Sequence, residues 1–156
     1  MTVMRIDHAG ITVSDIGRAL GFYRDLLGLR VIADSTVTEP EVAELLGLDS
    51  VRLRIVDLDS GDGRILELIQ YVQPEGRSIA NESSDAASMH VAFTVDDLGA
   101  TQKRLAEAGA TIVSRRPITI SDPGGDFDGA TCLYIRDPDG AIVELVQRRS
   151  DQPLKS

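Results

Sequence analysis

Hydrophobic residues follow a strand period and then a helix period from the start of the chain. Residues 6–13 are predicted to form a strand, and the apolar residues over 16–27 recur on one helical face. Three further strands are predicted over 30–36, 51–58 and 64–71, each rich in β-branched residues or bounded by turn residues. The first half of the chain therefore has the predicted order βαβββ.

The second half is predicted to have the same order. A strand leads into a helix that carries Leu98 and Leu105 on one face. Ser14 and Asp96 are expected to cap the two predicted helices, and Gly28 and Gly109 to end them. The predicted strands of the second half cover 89–95, 111–114, 130–135 and 141–147.

The two halves are also similar in amino-acid sequence. HAGITVSDIGRA begins at His8 and HVAFTVDDLGAT begins 82 residues later at His90. ILELIQ and IVELVQ place Glu67 and Glu144 at equivalent points, 77 residues apart. Such self-similarity indicates a duplicated module, so we expect an α+β fold with two tandem βαβββ modules. The single predicted domain, 1–156, contains module one at about 4–72, a linker at about 73–88 and module two at about 89–148.

Two segments lie outside the repeat. EPEVAELLGLDS, residues 39–50, is predicted to be a short inserted helix with Val42, Leu45 and Leu46 inward. SDPGGDFDG, residues 121–129, contains too many turn residues for regular structure and is a candidate mobile loop. Both are hypothesised to gate the functional cleft.

Composition and charge exclude several classes of function. The net charge is −9 and no stripe of Lys or Arg is present, which argues against nucleic-acid binding. The longest apolar runs are far shorter than the roughly 20 residues that cross a bilayer, and no signal peptide is visible. The single cysteine, Cys132, excludes an internal disulfide and fits a reducing cytosol, so a cytoplasmic location is expected.

The strand glutamates indicate the chemistry. Glu67 and Glu144 each interrupt an apolar strand, and burying an unpaired carboxylate costs several kcal/mol. The two histidines of the chain, His8 and His90, stand near the start of equivalent strands. If the modules pack with twofold pseudosymmetry, the four side chains can converge on one divalent cation that compensates both carboxylates. Imidazoles and carboxylates without a thiolate suit an open catalytic site better than a structural zinc site.

HAGITVSDIGRALGFYRDLLGL, MHVAFTVDD and LYIRDPDGAIVELV resemble the vicinal oxygen chelate superfamily over about residues 4–147. That superfamily includes glyoxalase I, methylmalonyl-CoA epimerase, extradiol dioxygenases, and fosfomycin and bleomycin resistance proteins. The resemblance implies a curved mixed sheet around a metal cleft, with His8, Glu67, His90 and Glu144 as ligands of one Zn, Ni, Co, Mn or Fe ion. It also implies a homodimer and a small-molecule substrate.

The His/Glu/His/Glu pattern is most similar to glyoxalase I, although the inserted helix 39–50 is absent from the compact glyoxalase I pattern. The resemblance implies a metal-dependent lyase or isomerase that removes a proton and forms a metal-chelated enediolate. Glu144 is the expected base, and Glu67 shares the role with some substrates. An epimerase, an extradiol-type dioxygenase and a sequestering protein without turnover remain the alternatives. Arg52 and Arg54 are weaker candidates for contact with an anionic substrate.

Overall fold

The computed structural model describes residues 2–79 and 82–149. The chain divides into two compact units, residues 1–79 and 80–156, and each unit contains one βαβββ module. Within the described residues, no helix is long and apolar enough to span a bilayer.

The strands of the first unit are β1 (His8–Thr12), β2 (Arg30–Val37), β3 (Arg52–Asp59) and β4 (Ile65–Gln73). They form a four-stranded mixed sheet in the order β1-β4-β3-β2. β1 is parallel to β4, and the other two pairings are antiparallel. Helix α1 (Ile16–Leu20) continues as π-helical turns over Gly21–Leu26, and α2 (Pro40–Leu45) follows β2.

The second unit repeats this plan. Its strands are β5 (His90–Thr94), β6 (Thr111–Ile112), β7 (Ile118–Thr119), β8 (Thr131–Arg136) and β9 (Ile142–Gln147). They have the order β5-β9-β8-β6, with β5 parallel to β9 and the short β7 also paired to β8. Helix α3 (Leu98–Glu107) packs on β8 and β9.

The predicted α+β fold with two tandem βαβββ modules is confirmed. One difference lies in the second unit, where the strand expected over 111–114 ends at Ile112 and a second short strand, β7, follows. The predicted turns at 59–63 and 137–140 close the β3–β4 and β8–β9 hairpins. In each turn a buried aspartate, Asp59 or Asp137, accepts hydrogen bonds from two backbone N–H groups.

The predicted N-caps of the two helices are each wrong by one residue. Asp15 caps α1 by accepting from the Arg18 N–H at 2.7 Å, and Asp97 caps α3 by accepting from the Ala100 N–H at 2.8 Å. Ser14 instead accepts a hydrogen bond from the Arg18 guanidinium. An N-cap side chain accepts from a backbone N–H two or three residues later, and in both modules the second polar residue of the pair does so.

The repeated glutamine of ILELIQ and IVELVQ has a structural role. Gln70 Oε1 accepts from the Ile16 N–H at 3.2 Å, and Gln147 Oε1 accepts from the Leu98 N–H at 2.8 Å. Each glutamine therefore ties the end of a strand to the start of the helix that covers its sheet. These bonds also show which face of each sheet carries the helix, because side chains alternate along a strand.

Alternation places the strand glutamates on the face opposite the helix, called here the open face. Leu66 and Leu68 lie on the helix face of β4, as Val143 and Leu145 do on β9, and all four are buried. Glu67 and Glu144 lie between these residues and point the other way. The apolar residues on the helix face of each motif thus belong to the core, while its glutamate lies on the opposite face.

A further segment packs on the open face of each sheet. In the first unit, Ala43 of α2 forms an apolar cluster with Val51 and Leu53, against which Ile55 and Ile69 pack. In the second unit, Ile120 packs on a cluster of Ala130, Cys132 and Val146. The predicted inward position of Leu45 is wrong, because its side chain is 83% exposed. Residues 121–129 contain no helix or strand, as expected.

Candidate metal centre

His8 and Glu67 form one pair of candidate ligands in the first unit. β1 and β4 run parallel with His8 opposite Ile65 and Gly10 opposite Glu67, so His8 and Glu67 lie diagonally across adjacent strands. His8 Nε2 is 4.0 Å from Glu67 Oε2. The imidazole is 47% exposed and the carboxylate 24% exposed, so both donor groups remain open to a ligand.

His90 and Glu144 form the equivalent pair in the second unit. His90 lies opposite Ile142 and Ala92 opposite Glu144, which repeats the register of the first unit. His90 Nε2 is 3.2 Å from Glu144 Oε2, and the carboxylate is 12% exposed. The duplication therefore places one imidazole and one carboxylate at matching positions on each sheet.

Each pair fits the coordination chemistry of a divalent metal ion. Two ligand atoms at right angles around an ion with bonds of about 2.1 Å are about 3.0 Å apart, close to the His90–Glu144 separation. The His8–Glu67 pair needs to close slightly to match. Two ligands are too few for tight binding of such an ion, so the predicted site requires both pairs. Within the described part of the chain, no three His, Cys, Asp or Glu side chains are grouped closely enough to hold an ion. The gathering of all four ligands stays a prediction.

The surroundings of the two glutamates differ. Asp57 on β3 lies directly opposite Glu67 on β4, so two carboxylates stand side by side on the same face of the first sheet. Like charges placed opposite each other on adjacent strands destabilise the pair unless a cation is present. A hydrogen bond to Asp7 and the negative charges of Glu67 and Asp57 raise the pKa of His8.

Glu144 has neutral neighbours instead. Tyr134 on β8 lies directly opposite it, and the Tyr134 ring is 5.4 Å from the His90 ring, centroid to centroid. Cys132 lies one step along the same face, and its thiol is hydrogen-bonded to the Glu144 carboxylate. Burial, together with that contact, raises the pKa of Cys132 to about 11. The thiol is therefore neutral at physiological pH, and a neutral thiol is a poor nucleophile.

Sequence analysis did not predict Asp57 and Tyr134 as neighbours of the site. Both stand opposite a strand glutamate across a tight hairpin, so the register set by turns 59–63 and 137–140 was the available signal. Arg54, a weaker candidate for an anionic substrate, is already paired with Asp34 through two hydrogen bonds of 3.0 and 2.7 Å.

Comparison with known proteins agrees with this architecture. The model of the Glyoxalase/Bleomycin resistance protein/Dioxygenase superfamily matches residues 5–145, which includes both His/Glu pairs. The chain belongs to this superfamily. The superfamily contains enzymes and proteins without catalytic activity, so membership alone leaves the reaction open.

Several superfamily relatives align along nearly the whole chain. A probable lactoylglutathione lyase of Vibrio cholerae is 28% identical over 152 residues, covering 96% of this chain and 94% of the relative. A 2-epi-5-epi-valiolone epimerase of an Actinomyces species is 27% identical over 154 residues, covering 96% of this chain and 82% of the relative.

The similar solved structures show the fold. A glyoxalase family protein of Bacillus cereus superposes with a TM-score of 0.80 at 23% identity, covering 94% of this chain and 95% of that one. The glyoxalase I of Leishmania major superposes with a TM-score of 0.62 at 23% identity, covering 93% and 87%.

Proposed function

We propose that the protein is a metal-dependent lyase or isomerase that removes a proton from a small oxygenated carbonyl compound. The observation that carries the proposal is the pair of equivalent His/Glu sets, His8 with Glu67 and His90 with Glu144, on the open faces of the two sheets. These side chains would hold one divalent ion. When bound, the ion would supply positive charge near the substrate oxygens and make the adjacent carbon more acidic.

Glu144 is the base in this proposal. Its carboxylate is the less exposed of the two, and it lies among Cys132, Tyr134 and His90. A carboxylate with few surrounding water molecules loses less hydration when it approaches a substrate carbon. Glu67, beside Asp57, is the more hydrated carboxylate and serves chiefly as a ligand.

The relatives support two versions of this chemistry. Relatives from Vibrio cholerae and Haemophilus influenzae carry the name lactoylglutathione lyase, and one from Actinomyces is named an epimerase. Both reactions begin with removal of a proton from carbon and differ in where the proton returns. The epimerase version is the second candidate, and the name of the Actinomyces relative is what favours it.

Metal removal tests the proposal. The full-length protein would be treated with a chelator, assayed with 2-oxoaldehyde–thiol adducts and acyl-CoA epimers, and reloaded with Zn, Ni, Co, Mn or Fe. We expect about one ion per set of four ligands, loss of turnover on chelation, and recovery with at least one metal. Full turnover in metal-free protein would contradict the proposal. Ligand binding that survives chelation, without turnover in any metal form, would favour a sequestering protein. The expected homodimer is checked by sedimentation.

A further inference from the structure

An arginine lies on the same face of the second sheet as the His90–Glu144 pair. Arg136 is the last residue of β8, and it stands opposite Ile142, which stands opposite His90. Neighbouring strands are about 4.8 Å apart, so the Arg136 and His90 backbones are about 10 Å apart along one row of the sheet. The Arg136 side chain therefore starts from the same row and the same face of the sheet as His90.

Two contacts of Arg136 differ in how easily they can be replaced. Nη1 donates to the Gly140 carbonyl at 2.7 Å, and Nη2 donates to Glu82 Oε2 at 2.9 Å. The Arg136 side chain is 22% exposed, whereas the Glu82 side chain is 68% exposed. One arm of the guanidinium is thus held by the backbone, and the other meets a carboxylate that water can easily solvate.

The module itself does not require an arginine at this position. Asp59 stands opposite Ile65 in the first unit, as Arg136 stands opposite Ile142 in the second. The β3–β4 hairpin closes around Asp59, whose Oδ1 accepts from the Gly61 and Gly63 N–H groups. In the second unit Asp137 makes the same two bonds, and the bond from Arg136 to the Gly140 carbonyl adds to them without replacing either.

Glu82 begins a turn that ends at Asp85. Its N–H donates to Asp85 Oδ2 at 3.1 Å, and its carbonyl accepts from the Asp85 N–H at 3.0 Å. These two bonds hold the Glu82 backbone while its side chain reaches Arg136.

We propose that Arg136 binds a carboxylate group of the small-molecule ligand, and that Glu82 occupies this position until the ligand displaces it. The arm of the guanidinium that now reaches Glu82 is a charged N–H donor, and it can make the same charge-assisted hydrogen bond to the carboxylate of a ligand. The chain carries a net charge of −9, so an anionic ligand needs a local cation to be retained. Placing a carbonyl of the same ligand at the His/Glu pairs rests on the proposed function; the carboxylate site itself does not.

A titration of metal-free, full-length protein with glutarate tests the site by NMR, with dimethyl glutarate as the uncharged control. We expect glutarate, and not the diester, to shift the Arg136 Nε–H resonance and the amides of Glu82 and Gly140. Glu82→Gln should tighten glutarate binding by about 2–5-fold, because an exposed competing carboxylate is removed. Arg136→Lys should weaken it by about fivefold or more, because a flexible ammonium lacks the rigid plane from which separate nitrogens hold the Gly140 carbonyl and the carboxylate.

Asp34→Asn provides a matched control. It removes the carboxylate that faces Arg54 at 2.7 Å, so it changes the net charge by the same amount as Glu82→Gln. Glutarate affinity should be unchanged in this variant. Equal tightening in both variants would mean that long-range charge alone is responsible, and would overturn the proposal.

Two other results would overturn it: an unshifted Arg136 Nε–H at saturating glutarate, or inorganic phosphate binding as tightly as glutarate. If Arg136→Lys fails to fold, the comparison of Glu82→Gln with Asp34→Asn still decides. Because the titration uses metal-free protein, its outcome is independent of whether the metal-dependent reaction exists.

Discussion

Replacing Glu144 with glutamine separates a catalytic base from a metal ligand. Glutamine has nearly the same volume and keeps an oxygen that can face His90, where Glu144 Oε2 now lies 3.2 Å from Nε2. What it loses is the negative charge and the capacity to take a proton. The matched variant is Glu67→Gln, which removes one charge from the equivalent position of the first sheet.

The expected effect follows from the different surroundings of the two carboxylates. Glu144 is 12% exposed, contacts a neutral thiol and faces Tyr134, whereas Glu67 is 24% exposed and faces Asp57. Loss of a positioned general base slows turnover by about 10²–10⁴-fold, or about 2.7–5.4 kcal/mol in the activation free energy. We expect a loss of this size in Glu144→Gln and a loss below about tenfold in Glu67→Gln, where Asp57 remains beside the substituted side chain.

The assay measures kcat and metal content on the same samples, so that a loss of turnover is not confused with a loss of metal. Solvent deuterium exchange at the substrate carbon reports proton removal directly. If Glu144→Gln keeps its activity with metal bound, the base assignment is refuted. Equal losses in the two variants at equal metal content would mean that both carboxylates share the proton transfer or act only as ligands.

Three further predictions concern stability and reactivity. Gln147→Ala should lower the free energy of unfolding, measured by urea denaturation, by about 1–3 kcal/mol, because the Leu98 N–H loses its 2.8 Å acceptor. Gln70→Ala should cost less, because the bond that it removes is longer, at 3.2 Å. A larger loss in Gln70→Ala than in Gln147→Ala would contradict this reasoning. Leu145→Ala should cost about 2–5 kcal/mol because the side chain is fully buried, whereas Leu45→Ala, at an 83% exposed position, should change stability by less than about 0.5 kcal/mol. Cys132 should react slowly with iodoacetamide at neutral pH in the folded protein and rapidly in urea. The raised pKa of Cys132 means that the neutral thiol contributes its full stability at a pH below the ordinary cysteine pKa. This contribution is lost as the pH rises through about 11, and urea denaturation at increasing pH would detect the loss.

The duplicated fold could be predicted from the sequence because hydrophobic period and turn chemistry are local properties. The alternation in ILELIQ and IVELVQ correctly separates core residues such as Leu145 from the glutamates between them. The glycine- and aspartate-rich turns correctly predict the hairpins, since a positive φ at Gly63 and Gly140 favours glycine there.

Choices between adjacent polar residues needed the tertiary structure. Ser14 and Asp15 are both good N-caps, and only the position of the following N–H groups selects Asp15. Leu45 satisfies a helical pattern, but α2 is so short that its packing against Val51 and Leu53 through Ala43 decides which face is inward.

The neighbours of the strand glutamates could not be predicted without knowing which residues stand opposite each other across the strands. Tyr134 and Asp57 stand across a hairpin from Glu144 and Glu67, and the strand register decides that these residues, and not their neighbours, face the glutamates. The contact between Arg136 and Glu82 spans 54 residues and leaves no periodic trace in either segment. The sequence by itself therefore determined the repeated modules and the four candidate ligands, because each depends on local pattern. The tertiary structure decided what surrounds each ligand, because those contacts depend on where separate strands and turns meet.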